Sequence, residues 1–282
     1  MKKRFLYTLA AVVTLASLTA CGDDDEPIVR RNEVTVTPTM LTHTVNTATG
    51  QVVDVANYPS QLIINTTGFT TSLQTSYSLD GTTTLTANLT GMPTTEATSR
   101  VYSFAASGNG TVNNLSGRAD LNELAYKWMF STGTYRVIAV SSEIFYLSTQ
   151  SKITDNDSIT SNVYNAYYQF EIDPAAMTAT VKVMSLSDEV DYKFFDNITG
   201  YRVPVVATAS GFQLDCDKVT TEAIYRAYDD ETGSTKKKTD DYPFHNFHAV
   251  IDLAGDHFEA SFKLGDRAYI TAQGNVYNES DE

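Results

Sequence analysis

HNFH (245–248) sets two imidazoles three positions apart. Imidazole binds metals and exchanges protons near neutral pH, so this pair is the first place to look for chemistry. If 245–253 is a regular strand with Phe247, Ala249, Ile251 and Leu253 inward, His245 shares their face and His248 points the other way, because successive strand side chains alternate. Two such histidines cannot chelate one ion. Asp256 and His257 fall in the following turn, near His248, and His43 is isolated. No metal site and no cofactor are expected.

Nucleophiles are equally sparse. Cys216 lies in the strand-like QLDCD and reads as a half-buried structural thiol. Carboxylates are plentiful but show no catalytic spacing, and G-x-S-x-G, P-loop and H-E-x-x-H patterns are absent from the sequence. In DDETGSTKKKTDDYP (229–243), Lys236, Lys237 and Lys238 are flanked by acids, Asp240 and Asp241 among them, so the segment reads as a locally neutralised loop. The expectation is a non-catalytic protein, with a hydrolase built from distant loops as the least favoured reading. Tyrosines number 17, and their amphipathic rings suit wet interfaces such as sugar sites. FYL (145–147) and YNAYYQF (164–170) are the candidates. In the latter, Tyr164, Tyr168 and Phe170 share one strand face and read as core, leaving Tyr167 as the exposed ring and a candidate ligand contact.

The elements that must position these residues are strands. EVTVTP, QLIIN, TTTLTANL and TATVKVM alternate apolar and polar residues, with Gly, Asn, Asp and Pro clusters between such runs. The chain is all-β, and it repeats itself. QLIINTTGFTTSLQTS (61–76) lies on QFEIDPAAMTATVKVM (169–184) without a gap, and NLTGMP (88–93) meets NITGYRVP (197–204). SRVYSFA (99–105) meets SGFQLDC (210–216), so that Tyr102 falls on Phe212. Leu124, Tyr126, Trp128 and Phe130 are set against Phe247, Ala249, Ile251 and Leu253, and Tyr146 against Tyr269. Two tandem, duplicated antiparallel β-sandwich or small-barrel domains follow, at 34–150 and 151–277, with a short tail at 278–282. Gly91 with Pro93 and Gly200 with Pro204 are expected to form corners, the glycines through positive φ.

Residues 1–20 have a basic start (Lys2, Lys3, Arg4), an apolar run of 14 residues at 5–18, and small residues Thr19 and Ala20. That run falls short of the roughly 20 residues a membrane-spanning helix needs, and the pattern is that of a signal peptide. LTAC (18–21) resembles the lipobox of bacterial lipoproteins, which implies cleavage before Cys21 and acyl chains such as palmitate on that residue. Two or more chains hold a protein stably in a membrane, where one does not. The acids Asp23, Asp24, Asp25 and Glu26 resemble the surface-export signal of Bacteroidota lipoproteins. They also suit an extended tether at 21–33, whose 13 residues reach at most about 45 Å. Asp157-Ser158-Ile159 resembles the O-glycosylation motif of exported Bacteroidota proteins, which makes Ser158 a candidate glycan acceptor.

Removal of residues 1–20 takes the formal charge from −14 to −17. That balance opposes binding to nucleic acid. The resemblance implies a lipid anchor at Cys21 in the outer membrane, facing the exterior or, as second choice, the periplasm. Its implied partners are the membrane itself and a glycan captured in a nutrient-uptake system. The alternative is a fimbrial anchor, adhesin or other structural envelope protein, with Arg30-Arg31 as a candidate processing point.

Overall fold

The computed structural model describes residues 33–65, 68, 70–95, 100–106, 112–154, 160–163, 166–188, 193–229, 231–266 and 268–276. Cys21, Arg30, Arg31, Ser158, Tyr164, the leader and the tail lie outside the described residues. The chain is all-β and divides into two compact units. One holds the described residues up to Thr44 together with Asn57–Ser141, the other Val45–Ala56 and the described residues from Ser142 onward. The seam therefore falls at 141/142 rather than 150/151, because the strand that begins at Glu143 pairs into the second sheet.

The first sheet is built from β1 (Glu33–Val36), β2 (Thr39–Asn46), β3 (Gln51–Asn65), β4 (Thr70–Ser78), β5 (Thr84–Thr95), β6 (Val101–Ala106), β7 (Val112–Asp120), β8 (Ala125–Thr132) and β9 (Tyr135–Ser141). Its order is β1-β3-β2-β9-β8-β7-β6-β5-β4, and β3 also pairs β4. β2 to β9 thus form a closed circuit of sequence neighbours, the connectivity of an up-and-down barrel. Eight strands leave an interior that side chains can fill. Leu62, Leu73, Leu89, Phe104, Tyr126, Trp128 and Phe130 fill it. β8, AYKWMFST, alternates perfectly between half-buried and buried positions.

The second sheet comprises β10 (Glu143–Thr154), β11 (Thr160–Val163), β12 (Tyr167–Asp173), β13 (Thr178–Asp188), β14 (Lys193–Ala207), β15 (Gly211–Val219), β16 (Thr221–Asp229), β17 (Ser234–Asp240), β18 (Phe244–Asp252), β19 (His257–Leu264) and β20 (Ala268–Val276). β13–β14 pairing closes a circuit of β10, β12, β13, β14, β15, β18, β19 and β20, again eight strands. β11 pairs β10, and the β16–β17 hairpin hangs from β14 outside the circuit. The segment read as an acid–base–acid loop is therefore mostly strand: β17 is a fully exposed edge paired only with β16.

Strand by strand the two circuits correspond. The β3–β4 pair Asn65↔Thr70 matches the β12–β13 pair Asp173↔Thr178, and Leu62↔Leu73 matches Phe170↔Val181. β6 matches β15, so Tyr102 and Phe212 occupy equivalent strands. The remaining alignment needs correction. By circuit position β7 matches β18, β8 matches β19 and β9 matches β20. Tyr146 and Tyr269 are not equivalents but residues of neighbouring strands in one sheet, the first buried and the second 46% exposed. Apolar alternation is the same in every strand and cannot say which strand is which. The β16–β17 hairpin lies between β15 and β18 in the chain but outside the circuit, and an alignment that passes over it slips by one strand afterwards.

Turn chemistry identifies the strands better. Asn46, Asp120, Asp173, Asp229 and Asp252 each close a four-residue turn by accepting two backbone N–H bonds on Oδ1. The last turn residue is left-handed in all five: Gly50, Leu124, Met177, Gly233 and Asp256. The expected positive φ at Gly91 and Gly200 is not found. The corner is real but arises otherwise, since β5 leaves β4 after Gly91 and takes up β6 at Met92. Gly200 is required by packing, because a Cβ there would sit 2.9 Å from Val219 Cγ1.

Candidate functional site

Strand register places the chemistry-bearing residues on the outward face of β15, β18, β19, β20 and β10. One row across the sheet reads Asp215↔His248↔Ser261↔Thr271↔Lys152. The next reads Lys218↔His245↔Lys263↔Tyr269↔Thr154. On the other side Glu259 pairs Gln273. Between them, Ala260, Phe262, Ile270 and Ala272 point inward and are buried. A shallow depression of about 300 Å³ lies over this face, lined by Lys152, His248, Glu259, Ser261, Thr271 and Gln273 among others.

The orientation expected for His245 is overturned. A bulge between His245 and His248 places Asn246 at φ 50° and lets Phe244 and Phe247 both face inward. His245 therefore joins His248 on the outward side, the parity having been reset by one extra residue. His248 Nδ1 lies 2.6 Å from Asp215 Oδ1, and Gln213 donates to the other carboxylate oxygen at 2.6 Å. These bonds, His248 first, hold the Asp215 carboxyl below its ordinary range. His257 lies elsewhere on β19, with Nε2 3.6 Å from Glu259 Oε1 and Nδ1 3.3 Å from Asn275 Oδ1. Asp256 is the left-handed turn residue. Among the described residues no three His, Cys, Asp or Glu side chains are grouped to hold a metal.

Asp215, His248 and Ser261 form an acid–imidazole–hydroxyl sequence across three strands. Ser261 makes no hydrogen bond to His248, and β19 is paired on both sides. Its backbone N–H groups are thus committed to the ladder, with none aimed at a developing oxyanion.

Other candidates are spread over the molecule. His43 is fully buried on β2. Cys216 is half-buried, its thiol donating to the Lys218 carbonyl at 3.1 Å. Lys236 pairs Asp229, and Lys237 lies 3.9 Å from Asp196. Tyr168 and Phe170 are core, packed with Tyr146 and Phe258. Tyr167 is half-buried at the start of β12, paired with Leu147 and Met184. Tyr146 is fully buried, and burial pushes its phenol well above the ordinary range. The exposed ring beside the polar rows is Tyr269, set two residues from Thr271 on the same face. Alternation in RAYIT (267–271) carried that signal, but it became visible only once β20 was distinguished from β10.

The fold and this face define an all-β protein of two closed eight-stranded circuits, with one polar outer surface carrying an exposed ring. No protein-family model matches the chain, and no curated protein is significantly similar to it.

Proposed function

We propose that this chain is a non-catalytic lipoprotein of the outer membrane, anchored through Cys21, that binds an extracellular glycan on the outward face of β18, β19, β20 and β10. The observation that carries the reading is an exposed Tyr269 ring beside a depression lined with imidazole, hydroxyl, amide, carboxylate and ammonium groups. Such groups match the hydroxyls of a sugar, and a ring offers its apolar face to a pyranose. The LTAC leader and the acids at 23–26 support the address.

Two measurements test this. Mass spectrometry of the native protein is expected to find acyl chains on the Cys21 residue; an unmodified, secreted product refutes the anchor. Glycan-array binding by the full chain in detergent micelles is expected to fall on Tyr269→Ala, and an unchanged profile refutes the site. The structural-envelope reading draws on one feature, the exposed β17 edge, which could accept a strand from a partner. Cross-linking from Thr235 and Thr239 in whole cells would trap that partner.

A further inference from the structure

We infer that the ligand of this face is an anionic saccharide, carrying carboxylate or sulfate groups; the inference rests on the glycan-binding reading. Its basis is the placement of two ammonium groups beside the exposed ring. The sequence has a formal charge of −14, and most lysines on the β16–β17 hairpin sit beside acids: Lys236 pairs Asp229 and Lys237 approaches Asp196. Among the described residues neither Lys152 nor Lys263 makes an ion pair or a side-chain hydrogen bond. They share this lack of a partner with Lys182, Lys218 and Lys238 and differ from them in lying beside Tyr269 and Thr271.

These two ammonium groups flank the exposed ring. Lys263 stands directly across from Tyr269 on β19, and Lys152 stands across from Thr271 on β10. With strands about 4.8 Å apart and about 3.4 Å per residue, their Cα atoms are about 12 Å apart, on either side of β20. Of the carboxylates near these rows Asp215 is engaged, and Glu259, 65% exposed, lies two residues beyond Ser261 on β19, away from Tyr269. Asp215 is bonded to His248 at 2.6 Å, and Glu259 faces His257 at 3.6 Å. Asp217 lies beyond them on β15, next to Lys218. The centre of the face therefore presents Tyr269, Thr271 and Ser261 with one unpaired cation on each side.

A ring bordered by hydroxyls selects a sugar face, and the unpaired cations select negative charge on it. Three other polyanions fit less well. A nucleic acid presents bases and a phosphodiester backbone, and surfaces that bind it carry several cations along the strand where this face has two. An acidic peptide needs an apolar pocket or an exposed backbone edge, and β18, β19, β20 and β10 have both edges paired. A lipid headgroup would bring an acyl chain for which the face has no groove.

The test is affinity electrophoresis or titration calorimetry of the full chain in detergent micelles against polygalacturonate, heparin, dextran and poly-glutamate. Polygalacturonate or heparin is expected to bind at least about tenfold more tightly than dextran and to weaken with salt. The carboxylated and sulfated polymers tell which anion is preferred. Replacing both lysines (Lys152→Gln with Lys263→Gln) is expected to abolish the preference, whereas Lys238→Gln, on the exposed β17 edge, leaves it intact. Circular dichroism confirms that the variants fold. Dextran binding as tightly as the charged polymers, with sensitivity to Tyr269→Ala, overturns the anionic assignment and leaves the glycan reading standing. Poly-glutamate binding as tightly as heparin overturns the saccharide class. Failure of every polymer overturns both.

Discussion

The same position in the two circuits has opposite surfaces. Ser261, Thr271 and Gln273 face outward on β19 and β20 of the second circuit. Their counterparts on β8 and β9 are Met129, Ile138 and Val140, and Ile138 and Val140 are buried. β9 is buried at four successive positions, 137–140, where β20 alternates. One copy has turned this strand pair into covered apolar surface, the other into open polar surface. The two circuits share their strand order and differ in the surface this strand pair presents.

The interiors differ in a second way. Trp128 in the first circuit corresponds to Ala260 in the second, where Tyr146, Tyr168, Phe170 and Phe258 supply the bulk. Phe104 opposite Gly117 corresponds to Leu214 opposite Ala249. Volume is kept while identity is exchanged, which is how cores tolerate divergence.

Truncating that tryptophan should have the largest effect. Trp128 is fully buried and its indole N–H donates to Thr75 Oγ1 at 3.0 Å, Thr75 being bonded in turn to Ser60. Trp128→Ala is expected to destabilise the first unit by about 3–5 kcal/mol in denaturant unfolding. Next in size is Gly117→Ala, which would place a Cβ 2.2 Å from the Phe104 ring and cost about 1–3 kcal/mol. Adding Phe104→Leu recreates the Leu214–Ala249 pair and should restore much of the loss. A double variant no better than Gly117→Ala would refute the correspondence.

The turns offer a smaller test. Leu124 adopts φ 56° where Gly50 and Gly233 do the same work without a side chain. Leu124→Gly is expected to raise stability by about 0.5–1 kcal/mol, and Gly233→Ala to lower it by a similar amount. The smallest effect concerns pH. Because the folded state holds the Asp215 carboxyl below its ordinary value, its contribution is complete above the usual carboxylate range and is lost as pH falls through the depressed value. Asp215→Asn should flatten the acid limb of a melting-temperature profile, modestly, since the group is exposed.

The fold was readable in the sequence where a local rule had only one outcome. Alternation at Tyr126, Trp128 and Phe130 and the ungapped match of 61–76 on 169–184 point to strands and a hairpin register that the structure keeps. Two things were hidden. A bulge leaves no mark in an apolar pattern, so His245 was assigned to the wrong face. A strand made of STKKKTD has no buried side at all, so its pairing with β16 gave no alternation to detect. The site was less legible than the fold because it is a row across five strands, and Asp215, His248 and Ser261 stand 33 and 13 residues apart in the chain only by accident of loop length. Register joins them, and register is what sequence alone specifies least.

That lysine-bearing edge also bears on how the protein behaves in a crowd. Two molecules meeting antiparallel along β17 would set Lys236, Lys237 and Lys238 of one against the same three of the other. The mutual repulsion opposes open-ended stacking of copies through this border, a device that keeps exposed strands from seeding fibres. At high concentration, copies of the chain would thus resist joining edge to edge through this strand.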